Sequence, residues 1–405
     1  MPACNWKTFF CALFTLLTVC AAQAPHIPQT QYDVIIIGGG PSGLSAASAL
    51  SRVLRRSVLF DSGEYRNNPT RHMHDVIGND HVVPATFRAT ARSQIAFYNA
   101  TTFVDHKVSK LERLEDSSFQ ATVNGTTYTA RKVILGSGVR DDLPNVPGLR
   151  EGFGKGIFWC PWCDGFEHRN QSMGVLGDLS EAYGAVQELH PTLNKDMRIF
   201  ANGTNTTEQR QKLDQNHPGW QKVFRAYNIT INNKFIANIT RIQNGSEVQD
   251  QAIRREFDMF RIYFADNTSE VRSAFITNYN TSQASDLPSQ LGVGMLGSKM
   301  NTTAKGLQTT IHGVWGVGDA NSDNTTNVPH AMSSGKKAAV FCHVQMAGEE
   351  LARDSNAAKR ATELDQRSLH EATEQQVGSE IEDLYKRLSR RWVGGSSARS
   401  LFDSS

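Results

Sequence analysis

The sequence predicts an α/β fold with two nucleotide-binding, Rossmann-like three-layer domains, the second inserted into a discontinuous first. Three observations predict it. Tyr32-Asp33-Val34-Ile35-Ile36-Ile37 is a short β-branched run, followed by Gly38-Gly39-Gly40-Pro41-Ser42-Gly43 and an Ala- and Leu-rich stretch from Leu44 to Leu54. Met173-Gly174-Val175-Leu176-Gly177 and Ser180 to Leu189 begin a second strand–turn–helix pattern. Far downstream, Gly313-Val314-Trp315-Gly316-Val317-Gly318-Asp319 is another apolar strand ending on an acid.

Each element follows from its residues. A continuous β-branched run of this length reads as a strand buried on both faces of a parallel sheet. Ser57 to Phe60 is the next strand and ends at Asp61, 18 residues past Gly43. In that strand–turn–helix–strand context the glycines have separate tasks. Gly38 makes the turn, Gly40 lets the backbone approach a pyrophosphate, and Gly43 lets helix and strand pack closely. Pro41 and Ser42 lie within the turn, ahead of the helix expected from Leu44, and Asp61 is placed to accept from a ribose hydroxyl. Lys132 to Leu135 is a further strand, closing on Gly136-Ser137-Gly138. After Asp319 a helix is expected, with Asn327 as N-cap and Pro329 in its first turn. Ala331, Gly335, Ala338 and Ala339 suit it to close packing.

The expected first domain therefore comprises residues 31–152 and 281–351, with 153–280 inserted. Strand-like runs within the insert lie near Asn228 to Ile239 and Met259 to Phe264. The tail, 352–405, is rich in Arg, Glu, Ser and Gln and is expected to remain largely mobile, with an amphipathic helix from Glu371 to Leu388.

Of 405 residues, 39% are hydrophobic and 20% charged, the balance of an ordinary globular protein. A net charge of +2 gives no reason to expect nucleic acid or an anionic membrane surface as a partner. The first 24 residues differ: Lys7, an apolar run from Phe9 to Ala22, then Ala22-Gln23-Ala24 as a cleavage site. This pattern predicts a signal peptide, with no membrane attachment after cleavage. Twelve N-x-S/T sequons, eight of them between Asn170 and Asn280, agree with a secreted or endomembrane glycoprotein.

Cys4, Cys11 and Cys20 lie in the leader, which leaves Cys160, Cys163 and Cys342. Three cysteines make no disulfide framework, so the close pair reads as redox chemistry and Cys342 as core packing. No metal-ligand set is expected.

Cys160-Pro161-Trp162-Cys163-Asp164-Gly165-Phe166, with Arg169-Asn170-Gln171 after it, resembles the C-x-x-C-D-G region of low-molecular-weight thioredoxin reductases. Asp61 to Asn67 and His72-Met73-His74 resemble the fungal branch that contains gliotoxin-type dithiol oxidases. The resemblance runs from about residue 31 to 350 and implies FAD as cofactor. Carried over by position, Gly40 to Gly43 hold the pyrophosphate. Asp61, Ser62, Gly63, Glu64, Tyr65 and Arg66, with His74, surround the adenosine half, and Val108 lies near the adenine. Asp319 accepts from the ribitol, while Thr326 and Asn327 sit at the pyrimidine edge, where the family commonly has Arg-Gln. Cys163 is the inner cysteine, Cys160 its exchange partner, and Asp164 the acid/base for thiol protons. A homodimer follows by the same analogy. His330 is equally a structural residue or a general base.

A reductase of this kind needs a second nucleotide site for NADPH. The aligned turn, Gly177-Asp178-Leu179-Ser180-Glu181-Ala182, lacks the middle glycine. Leu179 is expected to stand where a pyrophosphate must approach, and Asp178 and Glu181 add negative charge. Met197 to Phe200 then leads into Ala201-Asn202-Gly203-Thr204-Asn205-Thr206-Thr207, with two sequons and no cation for a 2′-phosphate. The sequence therefore predicts an oxidase that takes electrons from a small-molecule dithiol and passes them to O₂, giving hydrogen peroxide. Two alternatives stand beside it: an NADPH-dependent disulfide reductase, and a flavin oxidoreductase for a non-sulfur metabolite.

Overall fold

The computed structural model describes residues 27–324 and 326–354; the signal peptide expected over residues 1–24, and the tail beyond 354 with the helix expected there, lie outside the described residues. Residues 28–343 pack as one compact unit, and the described part of a second is the helical stretch 344–354.

The first unit is built on two main sheets, the first mixed and the second parallel. In the first, β1 (Tyr32–Ile37) lies between β2 (Ser57–Phe60) and β6 (Thr126–Leu135), and β3 (Thr101–Val104) extends it beyond β2. The other edge of β6 is shared. Its first half pairs antiparallel with β5 (Phe119–Val123), which continues to β4 (Lys110–Arg113), and its second half pairs parallel with Val314–Gly316. Val34, Ile35 and Ile36 are completely buried, as a both-faces-covered strand requires. The helix α1 (Pro41–Arg52) starts with proline at its first turn, where a missing N–H costs nothing. The β4–β5 hairpin carries no strong β-branched run, and its sequence gave no warning of it.

The second sheet is wholly parallel. Its order is Thr230–Asn232, Met197–Phe200, Met173–Leu176, Ala274–Thr277, Ile157–Phe158. A three-stranded antiparallel sheet, Ile236–Gln243, Met259–Phe264 and Ser269–Arg272, hangs beside it. The strand expected near Asn228–Ile239 is thus two strands in different sheets. Asn232, Asn233 and Lys234 break it, and the Asn232 side chain accepts from the Lys234 N–H at 2.9 Å.

Asn327 caps the helix Val328–Asp354 as expected, its Oδ1 accepting from the His330 N–H at 2.7 Å. Cys342 is a fully buried thiol outside the Cys160–Cys163 disulfide. No helix among the described residues is long and apolar enough to cross a membrane.

Candidate active site

Two clefts meet at the cysteine pair. The first opens at the C-terminal end of β1, where the turn Gly38 to Ser42 leads into α1. Gly38 has φ +106° and packs so closely that a Cβ there would lie 2.2 Å from the Gly136 carbonyl oxygen. At Gly40 the situation is reversed: it lines the cleft, and a Cβ would meet nothing within 4 Å. Gly43 packs against the Gly38 carbonyl instead of lining the cleft.

Ser62, Glu64, Tyr65 and Arg66 line this cleft, as do Val108, Asp319, Thr326 and Asn327. Gly63, with φ +75°, shapes the loop between them. Arg66 is fixed from three sides. It forks onto Asp141 at 2.7 and 2.9 Å, donates to Asp319 at 3.0 Å, and lies 5.0 Å over the Trp159 ring.

Two expected contacts are corrected. Asp61 does stand at the end of β2, but it is 4% exposed and its oxygens are engaged within the protein. They accept from the Gly63 N–H at 3.0 Å, the Tyr65 hydroxyl at 2.6 Å and Arg92 at 3.1 Å. Asp61 therefore holds the loop, and Glu64 is the carboxylate of that loop that lines the cleft. His74, expected at the adenosine half, lies beneath the cysteines instead. The bridge between Met73 and Val82 folds residues 73–82 into a hairpin that carries it there.

The cysteine turn is short and rigid. Cys160 is extended, Pro161 opens a single helical turn to Asp164, and the Cys163 N–H returns to the Cys160 carbonyl at 3.1 Å. Cys160 and Cys163 form a disulfide. Cys163 and Trp159 line both clefts, whereas Cys160 lines only the outer one. Asp164 and His74 line the outer cleft too, and Trp162 stands at its rim, 66% exposed. Burial pushes the Asp164 carboxyl up to about 7, against the opposing pull of His168 and His74.

A polar network supports this turn from below. The Nδ1 of His74 is hydrogen-bonded to the Cys163 carbonyl, and its Nε2 lies 3.0 Å from His81 Nδ1. His72 stacks on His81 with ring centres 3.9 Å apart, and burial lowers the pKa of both. His168 bonds the Asp164 carbonyl at 2.9 Å and Asp258 at 3.2 Å. Arg71 grips both Asp258 oxygens at 2.8 Å and also pairs with Glu256. Arg71, His81, Glu167, His168, Glu256 and Asp258 all escaped the sequence reading. Only Glu167 and His168 carried a signal, by following the C-x-x-C motif directly. His330 pairs with Asp323 at 2.9 Å and lines neither cleft.

At the second nucleotide-type turn the position expected for Leu179 is also corrected. Leu179 does not project into a phosphate site; it is fully buried in the core beneath Met173–Leu176. Its N–H is taken by the Thr204 hydroxyl at 3.1 Å, so the chain itself occupies a donor that a phosphate needs. Asn202 is likewise engaged, its Oδ1 accepting from the Ile236 N–H at 2.7 Å.

A model of the family described as pyridine nucleotide-disulphide oxidoreductase matches residues 32–178. Over 91% of its length the chain is 46% identical to an Arthroderma benhamiae protein named "Probable thioredoxin reductase", spanning 93% of it. It is 32% identical to thioredoxin reductase sirT of Leptosphaeria maculans, over 80% of this chain and 97% of that one. The crystal structure of an oxidoreductase from Agrobacterium tumefaciens superposes with a TM-score of 0.65 at 27% identity, over 78% of this chain and 98% of that one. With its disulfide-bonded C-x-x-C pair between two clefts, the chain belongs to the thioredoxin reductase family of pyridine nucleotide-disulphide oxidoreductases.

Proposed function

We propose that the protein is an FAD-dependent dithiol oxidase that closes a disulfide in a small-molecule dithiol, with O₂ as final acceptor. The observation that carries this reading is the division of the cysteines: Cys160 faces only the outer cleft, and Cys163 borders both. The first cleft fits the cofactor, since Gly40 offers bare backbone in front of the α1 N-terminus, where a pyrophosphate is favoured. Glu64, Asp319, Thr326 and Asn327 are then placed along it as polar partners. When bound, FAD supplies a two-electron acceptor that O₂ can reoxidise.

The chain's own part is thiol–disulfide exchange. A substrate thiolate attacks Cys160 Sγ, the Cys160–Cys163 bond breaks, and Cys163 leaves as thiolate. The second substrate thiol attacks the mixed disulfide, releasing Cys160 and a substrate disulfide. Two electrons now reside on the cysteine pair, with Cys163 beside the first cleft. Asp164, with a carboxyl near 7, accepts and returns the thiol protons. Trp159 and Trp162 give the outer cleft aromatic walls that suit a compact ring system.

The self-capped turn at Leu179 supports a dithiol over NADPH as electron donor. The leader and the twelve sequons, none of them on a buried asparagine, support a secretory route. The test is an anaerobic titration of the purified flavoprotein. A small dithiol is expected to bleach the flavin band and an equal amount of NADPH to leave it. Bleaching by NADPH alone overturns the reading in favour of a reductase, the activity in the names of its relatives. Cys163→Ser is expected to abolish bleaching by dithiol.

A further inference from the structure

We propose that His74, His81 and Glu167 form a site for one divalent transition-metal ion of the zinc type, directly behind the redox cysteines. The Nε2 of His74 lies 3.0 Å from His81 Nδ1 and 3.3 Å from Glu167 Oε1. All three donor atoms fall within 4.8 Å of one another. Zinc bonds of about 2.0–2.1 Å in a tetrahedron space neighbouring ligand atoms by ~3.3 Å, so the cluster already has a suitable size.

The hydrogen bonds orient Nε2 of His74 toward the other two donors. The Cys163 carbonyl can only accept, so the Nδ1 of His74 carries the hydrogen and Nε2 of the neutral ring presents a lone pair. That lone pair faces both Glu167 Oε1 and His81 Nδ1, so a proton on Nε2 and a bound metal ion are the two positive centres that can hold the three groups together. A ring that donates Nδ1–H to a backbone carbonyl and offers Nε2 inward is how proteins orient a metal-bound histidine. Glu167 adds a second sign: it is 3% exposed and its Oε2 has no hydrogen-bond partner.

The neighbouring cluster His168, Glu256 and Asp258 provides the contrast. There the Arg71 guanidinium already supplies the positive charge, with both terminal nitrogens on Asp258 at 2.8 Å. Among the described residues no lysine or arginine pairs with Glu167. His81 holds its place through a left-handed backbone, φ +64°, within the hairpin tied by Met73 and Val82. An ion here fastens that hairpin to the turn that follows the Pro161–Asp164 helix, with water at its open position. Its charge favours the Cys163 thiolate across one hydrogen bond. The site is independent of which electron acceptor the enzyme uses.

The test uses oxidised flavoprotein, whose disulfide keeps Cys160 and Cys163 from binding metal themselves. The protein is stripped with a chelator and titrated with Zn²⁺ against a chromophoric competitor. One ion per chain is expected, with affinity reduced at least about tenfold in His81→Ala and in Glu167→Gln, and unchanged in the control His217→Ala. Melting curves of the metal-free variants show whether they fold. Should either fail to fold, Zn²⁺ protection of His74 and His81 in the native protein from diethyl pyrocarbonate, read by peptide mass, decides instead. Equal affinity in both variants, a stoichiometry well below one, or no protection overturns the site and leaves a shared proton between His74 and Glu167.

Discussion

The imidazole of His168 and the carboxylate of Asp258 lie 3.2 Å apart, each about 1% exposed, beneath the turn that carries the cysteines. Burial disfavours the charge on Asp258, yet hydrogen bonds from His168 and Arg71 hold its carboxyl at about 2. Because the folded value lies below the unfolded one, the stabilisation is complete above pH ~4 and is lost as pH falls through 2. Asp258→Asn leaves Arg71 without its main partner, and a loss of about 3–5 kcal/mol at neutral pH is expected. Urea denaturation of both proteins across pH 2–7 checks it, and the variant's acid limb should be flatter.

Asp164 gives the opposite sign. Its folded carboxyl, near 7, lies above the unfolded value, so the folded chain holds an extra proton between pH ~4 and 7. Stability contributed by this group therefore falls as pH rises through that window, and Asp164→Asn should melt higher than wild type at pH 8. Turnover moves the other way: thiol deprotonation needs the carboxylate, so dithiol oxidation should rise with pH around 7. Asp164→Asn should lose that limb along with roughly 100-fold or more of kcat/KM. A variant with an unchanged pH profile removes Asp164 from proton transfer.

Gly38 and Gly40 separate folding from cofactor binding. In Gly38→Ala the new methyl group meets the Gly136 carbonyl at a left-handed φ, so little soluble protein is expected. Gly40→Val projects into open cleft and should leave the fold intact while yielding nearly colourless protein. Circular dichroism and the flavin-to-protein absorbance ratio distinguish the two.

Leu179→Gly tests the second nucleotide turn. It restores a glycine at the middle position but removes a fully buried side chain, with an expected loss of about 2–5 kcal/mol. It should not confer bleaching by NADPH, since Thr204 still caps the turn. NADPH use by this variant returns Leu179 to the role of steric block.

Much of this molecule was legible along the chain. The strand Tyr32–Ile37, the glycine turn, the helix cap at Asn327 and the Cys160–Cys163 pair are each encoded within a few consecutive residues. Burial, turn chemistry and thiol spacing are local properties, and a linear reading reaches them. The β4–β5 hairpin and the division around Asn233 were not legible, because strand pairing depends on partners far away in the chain.

The sequence by itself determined the α/β class, the nucleotide-type turn and the redox character of its close cysteine pair. Only the tertiary structure decided that Asp61 braces a loop, that Leu179 points into the core, and that His74 and His81 approach Glu167 from some ninety residues away. Ion pairs and donor clusters of this kind depend on distances of a few ångströms between segments that share no sequence neighbourhood. Charge and hydrogen-bonding energy fall off over that same range, so only the folded chain can place them.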